Sequence, residues 1–236
     1  MKICIADKNI EKSMAKKLED LGFLIIYSKK IKTMTGPLST HPDIQICKIN
    51  DKLFIAEKSV FKYYENKLSK YGIIIKSGKS ILDDKYPNDS FYNAAIKENI
   101  AIHNFKITDE EVLNNINVEK INVKQGYSKC NTLFTKTGII TSDKGIYKKI
   151  KNMRKLLISP GYIDLEGYDY GFIGGASGYF DKIYFLGNIY NHPDFEKINR
   201  FLKEEDTDFE ILSEDNLKDY GSLIFINTKG EIIWVI

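Results

Sequence analysis

The sequence predicts an α/β fold: a single-domain ring of five ββαβ units, that is, a five-bladed α/β propeller with one blade closed by the N- and C-termini. Three observations predict it. A unit of strand, tight polar turn, strand, amphipathic helix and strand recurs, starting near residues 43, 93, 131, 176 and 222, a period of about 47 residues. The chain ends are half-units that complete each other, where a linear solenoid would carry polar caps. Pairing the first and last segments also removes an open sheet edge. An α/β sandwich of the same elements is the rival arrangement, and the half-units favour the ring. No linker interrupts residues 1–236.

In chain order, the N-terminus supplies a helix from about Asn9 to Leu21, a stop at Gly22 and the strand Phe23–Tyr27. The first full unit has a strand from Asp43 to Ile49, a turn at Asn50-Asp51-Lys52 and a second strand over Leu53–Ala56. Ser59 to Lys70 then carries Val60, Tyr63, Tyr64, Lys67 and Leu68 at helical spacing, and Gly72 ends it. Ile73-Ile74-Ile75 is a continuous apolar run, expected to be a strand buried on both faces. The second unit runs through Asn93–Ile96, Ile100–Ile102, a helix near Thr108 to Asn115, and Lys120–Val123. The third has strands over Asn131–Phe134 and Gly138–Thr141, a helix capped by Ser142 or Asp143 and running to about Met153, and Leu156–Ile158. The fourth has Ala176–Phe180, Lys182–Leu186, a helix from about Pro193 to Lys203, and Phe209–Leu212. The last is a hairpin of Ser222–Ile226 and Glu231–Val235 across Asn227–Gly230, completed by the N-terminal helix and strand.

Composition narrows the function. The 236 residues are 43% hydrophobic and 28% charged, with a net charge of only +3 and no charge blocks. Arg154 and Arg200 are the only arginines, so bidentate phosphate forks are scarce and a nucleic-acid partner is not expected. No apolar run reaches the roughly 18 residues of a membrane span. The start, MKICIADKN, is too short an apolar stretch for a secretion signal. Three cysteines, Cys4, Cys47 and Cys130, make no disulfide framework. A cytoplasmic protein without membrane attachment is expected.

In a ring, the residues entering each unit's first strand face a common channel. These segments are Thr40–Asp43, Asn88–Asn93, Gly126–Asn131, Gly174–Gly178 and Asp219–Ser222, all rich in polar or small residues. Each has a plainer reading. Cys130 can be a small buried hydrophobe, and His41-Pro42-Asp43 a turn that satisfies its own backbone. His192-Pro193-Asp194 precedes a helix, where Pro and Asp belong for structural reasons. His103 stands alone, and Cys4 and Cys47 sit inside apolar strands. Nothing has metal-ligand spacing. Gly174-Gly-Ala-Ser-Gly178 lacks the Lys-Ser/Thr ending of a phosphate loop and reads as close backbone approach or a bulge. The tyrosines around it, Tyr162 to Tyr190, are a weak pocket signal.

The chain resembles the penteins, the guanidino-group-modifying superfamily of five-bladed α/β propellers, which includes arginine and agmatine deiminases, amidinotransferases and dimethylarginine hydrolases. The resemblance is carried by the repeat, by His41-Pro42-Asp43 in place of their His-x-Asp, and by Gly126-Tyr-Ser-Lys-Cys130-Asn-Thr132 in place of their Gly-Gly-x-x-Cys-x-Ser/Thr. As in those enzymes, the Cys lies two units after the His. The stretch from Gln125 to about Asp194 is also similar to an uncharacterised bacterial family assigned to this fold. The resemblance implies a cysteine-dependent hydrolase or transferase acting, without a cofactor, on a guanidine- or amidine-like small molecule in the central channel. Cys130 would be the nucleophile and His41 the general acid/base. Asp43 and Asp89 would be carboxylates for the substrate's N–H groups, and Asn131 and Ser177 hydrogen bonders lining the channel. Two acidic positions of the enzymes are replaced, by Gly174-Gly-Ala-Ser177 and by Asp219-Tyr-Gly-Ser222, so a less cationic substrate than arginine, or no chemistry, stays open. The alternative is a non-catalytic binding protein like the ribosome anti-association factor of archaea and eukaryotes, whose hairpin-to-helix units Leu133–Gly145 resembles.

Overall fold

A crossover helix lets two parallel strands sit side by side, and that device is repeated five times in this chain. The computed structural model describes residues 1–228. It contains five three-stranded sheets, each with its middle strand antiparallel to the first strand and parallel to the third. The first blade is β3 (Ile46–Lys48), β4 (Leu53–Ala56), α3 (Phe61–Leu68) and β5 (Ile74–Ser77). The second is β6 (Ala95–Lys97), β7 (Ile100–His103), α4 (Glu110–Asn115) and β8 (Glu119–Asn122). The third is β9 (Thr132–Phe134), β10 (Gly138–Thr141), α6 (Lys144–Lys149) and β11 (Arg154–Leu157). The fourth is β12 (Ser177–Tyr179), β13 (Ile183–Phe185), α7 (Phe195–Glu204) and β14 (Phe209–Ile211). No helix among the described residues is long and apolar enough to cross a membrane.

The closing blade joins segments from near the two ends of the sequence. β15 (Ile224–Asn227) pairs antiparallel with β1 (Lys2–Ala6), in register Lys2↔Asn227 to Ile5↔Ile224. β1 in turn pairs parallel with β2 (Phe23–Tyr27) across α1 (Lys12–Asp20). The middle strand is therefore Lys2–Ala6, in the place expected for Glu231–Val235, a segment that lies outside the described residues.

Two further expectations are corrected. Asp43–Gln45 is not strand: α2 (Pro42–Gln45) is a single helical turn ahead of β3, and α5 (Ser128–Asn131) is its counterpart ahead of β9. Pro at the first helical position and Asp in the first turn favour that geometry at α2. Nor is the third strand buried on both faces, since Ile74 in β5 is 60% exposed. The third strand is the outer edge of each blade, so one face meets solvent. Middle strands are the buried ones, and β7, β10 and β13 are buried throughout.

The core lies between neighbouring blades. One apolar cluster joins the closing, first and second blades, and three more fill the second–third, third–fourth and fourth–closing interfaces. At the strand-entry end of the axis, a circuit of hydrogen bonds passes through all five blades. The Asn93 side chain donates to the Asp43 carbonyl (2.9 Å), and the Lys129 N–H to the Asn93 carbonyl (3.0 Å). The Gly175 N–H donates to the Cys130 carbonyl (2.9 Å), the Ser222 N–H to the Gly175 carbonyl (2.9 Å), and the Asp43 N–H to the Gly221 carbonyl (3.3 Å). The ring is thus closed by bonds between blades as well as by burial.

Candidate active site

The circuit of hydrogen bonds brings together side chains far apart in sequence. Asp43 on α2 and Cys130 on α5 meet at the end of the axis, where the Cys130 thiol donates to Asp43 Oδ2 at 3.1 Å. Ser222 donates to the same oxygen at 2.6 Å. Asn93 spans the pair: its Nδ2 lies 3.2 Å from Cys130 Sγ, and its Oδ1 accepts the N–H groups of Lys129 (2.9 Å) and Cys130 (3.1 Å). His41, one residue before α2, has Nδ1 3.8 Å from Asp219 Oδ1, too far for a hydrogen bond. Asp219 accepts the N–H groups of Phe172 and Gly221, both at 2.9 Å. All six side chains are buried, Cys130 being 2% exposed.

Glycines make room for this packing. A Cβ on Gly175 would stand 2.1 Å from Asp219 Oδ1, and one on Gly221, at φ +74°, would stand 2.3 Å from His41 Cβ. The glycine-rich stretch entering the fourth blade therefore serves close approach, as its sequence suggests.

Burial sets the charge states. It pushes the Cys130 thiol well above its ordinary range, with Asp43 and Asp219 adding to the shift. It lowers His41 to about 4 against the pull of Asp43. It raises Asp219 to about 7, reinforced by Asp43. At neutral pH the cluster therefore holds a protonated thiol and a neutral imidazole. Two buried polar atoms in it have no hydrogen-bond partner, His41 Nδ1 and Asp43 Oδ1.

An axial cavity of about 580 Å³ runs along the first strands of all five blades. Asp43 and the half-buried Lys129 belong to its lining, with Phe134, Tyr179 and Phe225 among its walls. Cys130 and His41 are not in the lining, and of the six clustered side chains only Asp43 belongs to it.

Of the residues expected from sequence, Cys130 and Asp43 are in direct contact, and His41 approaches the same cluster from the side of Asp219. Asp89 does not join them: it accepts the Tyr127 hydroxyl and lines a separate cavity. Asn131 donates to the Tyr127 carbonyl at 3.1 Å and Ser177 to the Ile173 carbonyl at 2.6 Å. Neither lines the axial cavity. Asn131 follows Cys130 on a single helical turn, and one residue of helix turns a side chain by roughly 100°. Asn93, Ser222 and Asp219 complete the cluster without having been picked out. The signal for Asn93 is membership of a strand-entry segment, and Asp219 and Ser222 also stand in the segment that replaces an acidic position of the enzymes.

Outside the cluster, His103 bonds Thr108 Oγ1 (2.6 Å) and the Gly126 carbonyl (2.8 Å), bracing the loop before Cys130. His192 Nδ1 accepts the Asp194 N–H at 3.1 Å, a local turn ahead of α7. Cys4 and Cys47 are buried in β1 and β3. Among the described residues, no three His, Cys, Asp or Glu side chains are grouped to hold a metal ion.

A family model described as "Family of unknown function (DUF6873)" matches residues 5–224. No curated protein matches the sequence. Among solved structures, the chain is similar to SxtG, an amidinotransferase from Microseira wollei in the saxitoxin biosynthetic pathway, with TM-score 0.58, 9% identity, and 98% of this chain and 95% of that one covered. It is also similar to C. jejuni agmatine deiminase, with TM-score 0.52, 12% identity and coverage of 97% and 81%. The C315S form of that deiminase with substrate bound gives TM-score 0.50, 11% identity and coverage of 95% and 81%. At these identities the likeness concerns the fold, which is the five-bladed α/β propeller of the penteins.

Proposed function

The chain belongs to the family of unknown function DUF6873, and from that premise we propose that it is a cysteine-dependent hydrolase or transferase for a guanidine- or amidine-like small molecule. Cys130 is the nucleophile, His41 the general acid/base, and Asp43 and Asp219 the carboxylates that hold the substrate's N–H groups. The observation that carries this reading is the pair of unpartnered buried atoms, Asp43 Oδ1 and His41 Nδ1, in the cluster that contains the thiol. Buried polar atoms without partners are costly, and a planar cation offers N–H donors to the first. The fold shared with an amidinotransferase and a deiminase supports the same reading.

The charge states suit a reaction that the substrate starts. A cation between Asp43 and Asp219 offsets the two carboxylates that hold the thiol protonated, so thiolate forms only when the site is filled. His41 takes the thiol proton as sulfur bonds to the electron-poor carbon, and the imidazolium is stabilised by Asp219. The proton then passes to the departing nitrogen as the C–N bond breaks, leaving the carbon on sulfur. Water attacks that carbon, returning one proton through His41 to sulfur as the C–S bond breaks, and releases a urea- or amide-type product. With an amine in place of water, the same steps transfer the amidino group.

One observation favours a second reading. Asp43, Asn93 and Cys130 are also members of the inter-blade circuit, a structural duty that a non-catalytic binding protein would equally need. One experiment separates the two. The protein is incubated with a panel of guanidines and amidines, then analysed by intact mass and peptide mapping, while the thiol pKa is read from the pH dependence of alkylation. The proposal expects an adduct on Cys130 that is absent from C130S, and a thiol pKa that falls when the adduct-forming compound's unreactive analogue is bound. No adduct and no turnover across the panel, with a thiol pKa of about 8.5 or higher in every condition, would leave the binding reading.

A further inference from the structure

The connections between blades lie at the strand-entry end of the ring, opposite the hairpin turns. Among them is a second cavity, of about 240 Å³, formed by residues 34–38, 84, 89 and 166–168. All its charged lining is acidic: Asp84, Asp89 and Glu166, with no lysine, arginine or histidine. Among the described residues, Asp84 is met only by neutral donors, the Thr35 N–H at 2.7 Å and its hydroxyl at 2.8 Å. Asp89 Oδ2 accepts the Tyr127 hydroxyl. Among the described residues its Oδ1 has no hydrogen-bond partner from another residue, and Asp89 is only 4% exposed. Glu166 is exposed and makes no ion pair among the described residues.

An unpaired buried carboxylate oxygen in an acidic pocket calls for a positive ligand. Burial raises the Asp89 carboxyl above its usual range, and the nearby Asp83 and Asp84 add to the shift against the bonds from the Tyr127 hydroxyl and the Asp89 backbone N–H. The acidic groups are not gathered closely enough for a metal ion. Charge spread along a pocket is matched by charge spread along a ligand. Tyr168, half exposed at the same cavity, adds an aromatic face of the kind that attracts ammonium groups.

We propose that this cavity binds a small linear di- or polyamine, one ammonium donating to Asp89 Oδ1 and another held near Glu166. The site does not depend on the reaction assigned to Cys130.

The test is calorimetric titration of the full chain with putrescine and spermidine, with 1,4-butanediol as an uncharged control and magnesium chloride as a metal control. The expected result is saturable spermidine binding that weakens by about tenfold or more in Asp89→Asn and measurably in Glu166→Gln, with no diol binding. Thermal melting establishes that each variant is folded. Should Asp89→Asn fail to fold, the exposed Glu166→Gln carries the decision. Absence of saturable spermidine binding, unchanged affinity in the folded variants, or magnesium binding in preference to spermidine would each overturn the proposal.

Discussion

Asp43 receives two hydrogen bonds on one carboxylate oxygen and none on the other, and around it the neighbouring titratable groups respond to pH in opposite directions. Asp219 is raised in the folded protein to about 7 from 3.8. The stability this group contributes is present below about pH 4 and lost as pH rises through about 7. His41 is lowered to about 4 from 6.5, so its contribution is present above about pH 6.5 and lost as pH falls through about 4. Asp7, buried nearby and raised to about 6, acts in the same direction as Asp219. The stability of Asp219→Asn relative to wild type is therefore expected to increase from pH 4 to pH 7, by on the order of a few kcal/mol, and then level off. Urea unfolding at pH 4 and pH 7.5 measures it. The difference between the two pH values is the informative quantity, because asparagine has one acceptor oxygen for the two N–H groups that Asp219 serves, a loss that does not depend on pH. A relative stability that declines with rising pH would contradict the assignment.

Two short helices show how much an end residue can do at the scale of an element. Asp143 caps α6 by accepting the Ile146 N–H at 2.7 Å, and its other oxygen accepts from Gln125, which in turn accepts the Tyr127 N–H. Asp109 caps α4 through the N–H groups of Glu111 and Val112, and also accepts the N–H groups of Lys79 and Ser80 and the Tyr92 hydroxyl. Asp143→Ala is expected to cost about 1 kcal/mol, the usual worth of a cap. Asp109→Ala should cost about 3 kcal/mol, because it also strands donors from another segment. Equal denaturation midpoints for the two variants would refute that ordering. Helices with an apolar stripe, such as α3 and α7, were legible because several residues repeat the helical period. The single turns α2 and α5 have no room for a period, so Asp43 reads as strand from sequence. The run Ile73–Ile75 looked buried because an outer strand's solvent face can still carry isoleucine.

At the scale of the whole molecule, Asn93 is the side chain on which three blades converge. It bonds the Asp43 carbonyl, Cys130 Sγ, and the N–H groups of Lys129 and Cys130. Asn93→Leu keeps the volume and leaves the buried Asp43 carbonyl and the Cys130 N–H unmet, each worth about 1–3 kcal/mol, while the Lys129 N–H keeps the residue-93 carbonyl. A loss of several kcal/mol in urea unfolding is expected, and a loss below about 1 kcal/mol would show that the circuit does not hold the blades together. The repeat made the five-blade plan legible, and motifs of adjacent residues made His41, Asp43 and Cys130 legible. Asn93 and Asp219 were not, because their partners are mostly backbone groups of other blades, which no local pattern reveals. For the same reason no local pattern marks β1 as a blade strand: half its pairing is with β15, more than 200 residues away in sequence.

That pairing has a consequence during synthesis. β1 pairs with β15 in register Lys2↔Asn227, so it leaves the ribosome long before the strand that covers its flank. Until then its apolar run Ile3-Cys4-Ile5 has a bare flank, the kind of surface on which nascent chains stick to one another. A transcript cut short before residue 224 would release four blades and a fifth that lacks its inner strand.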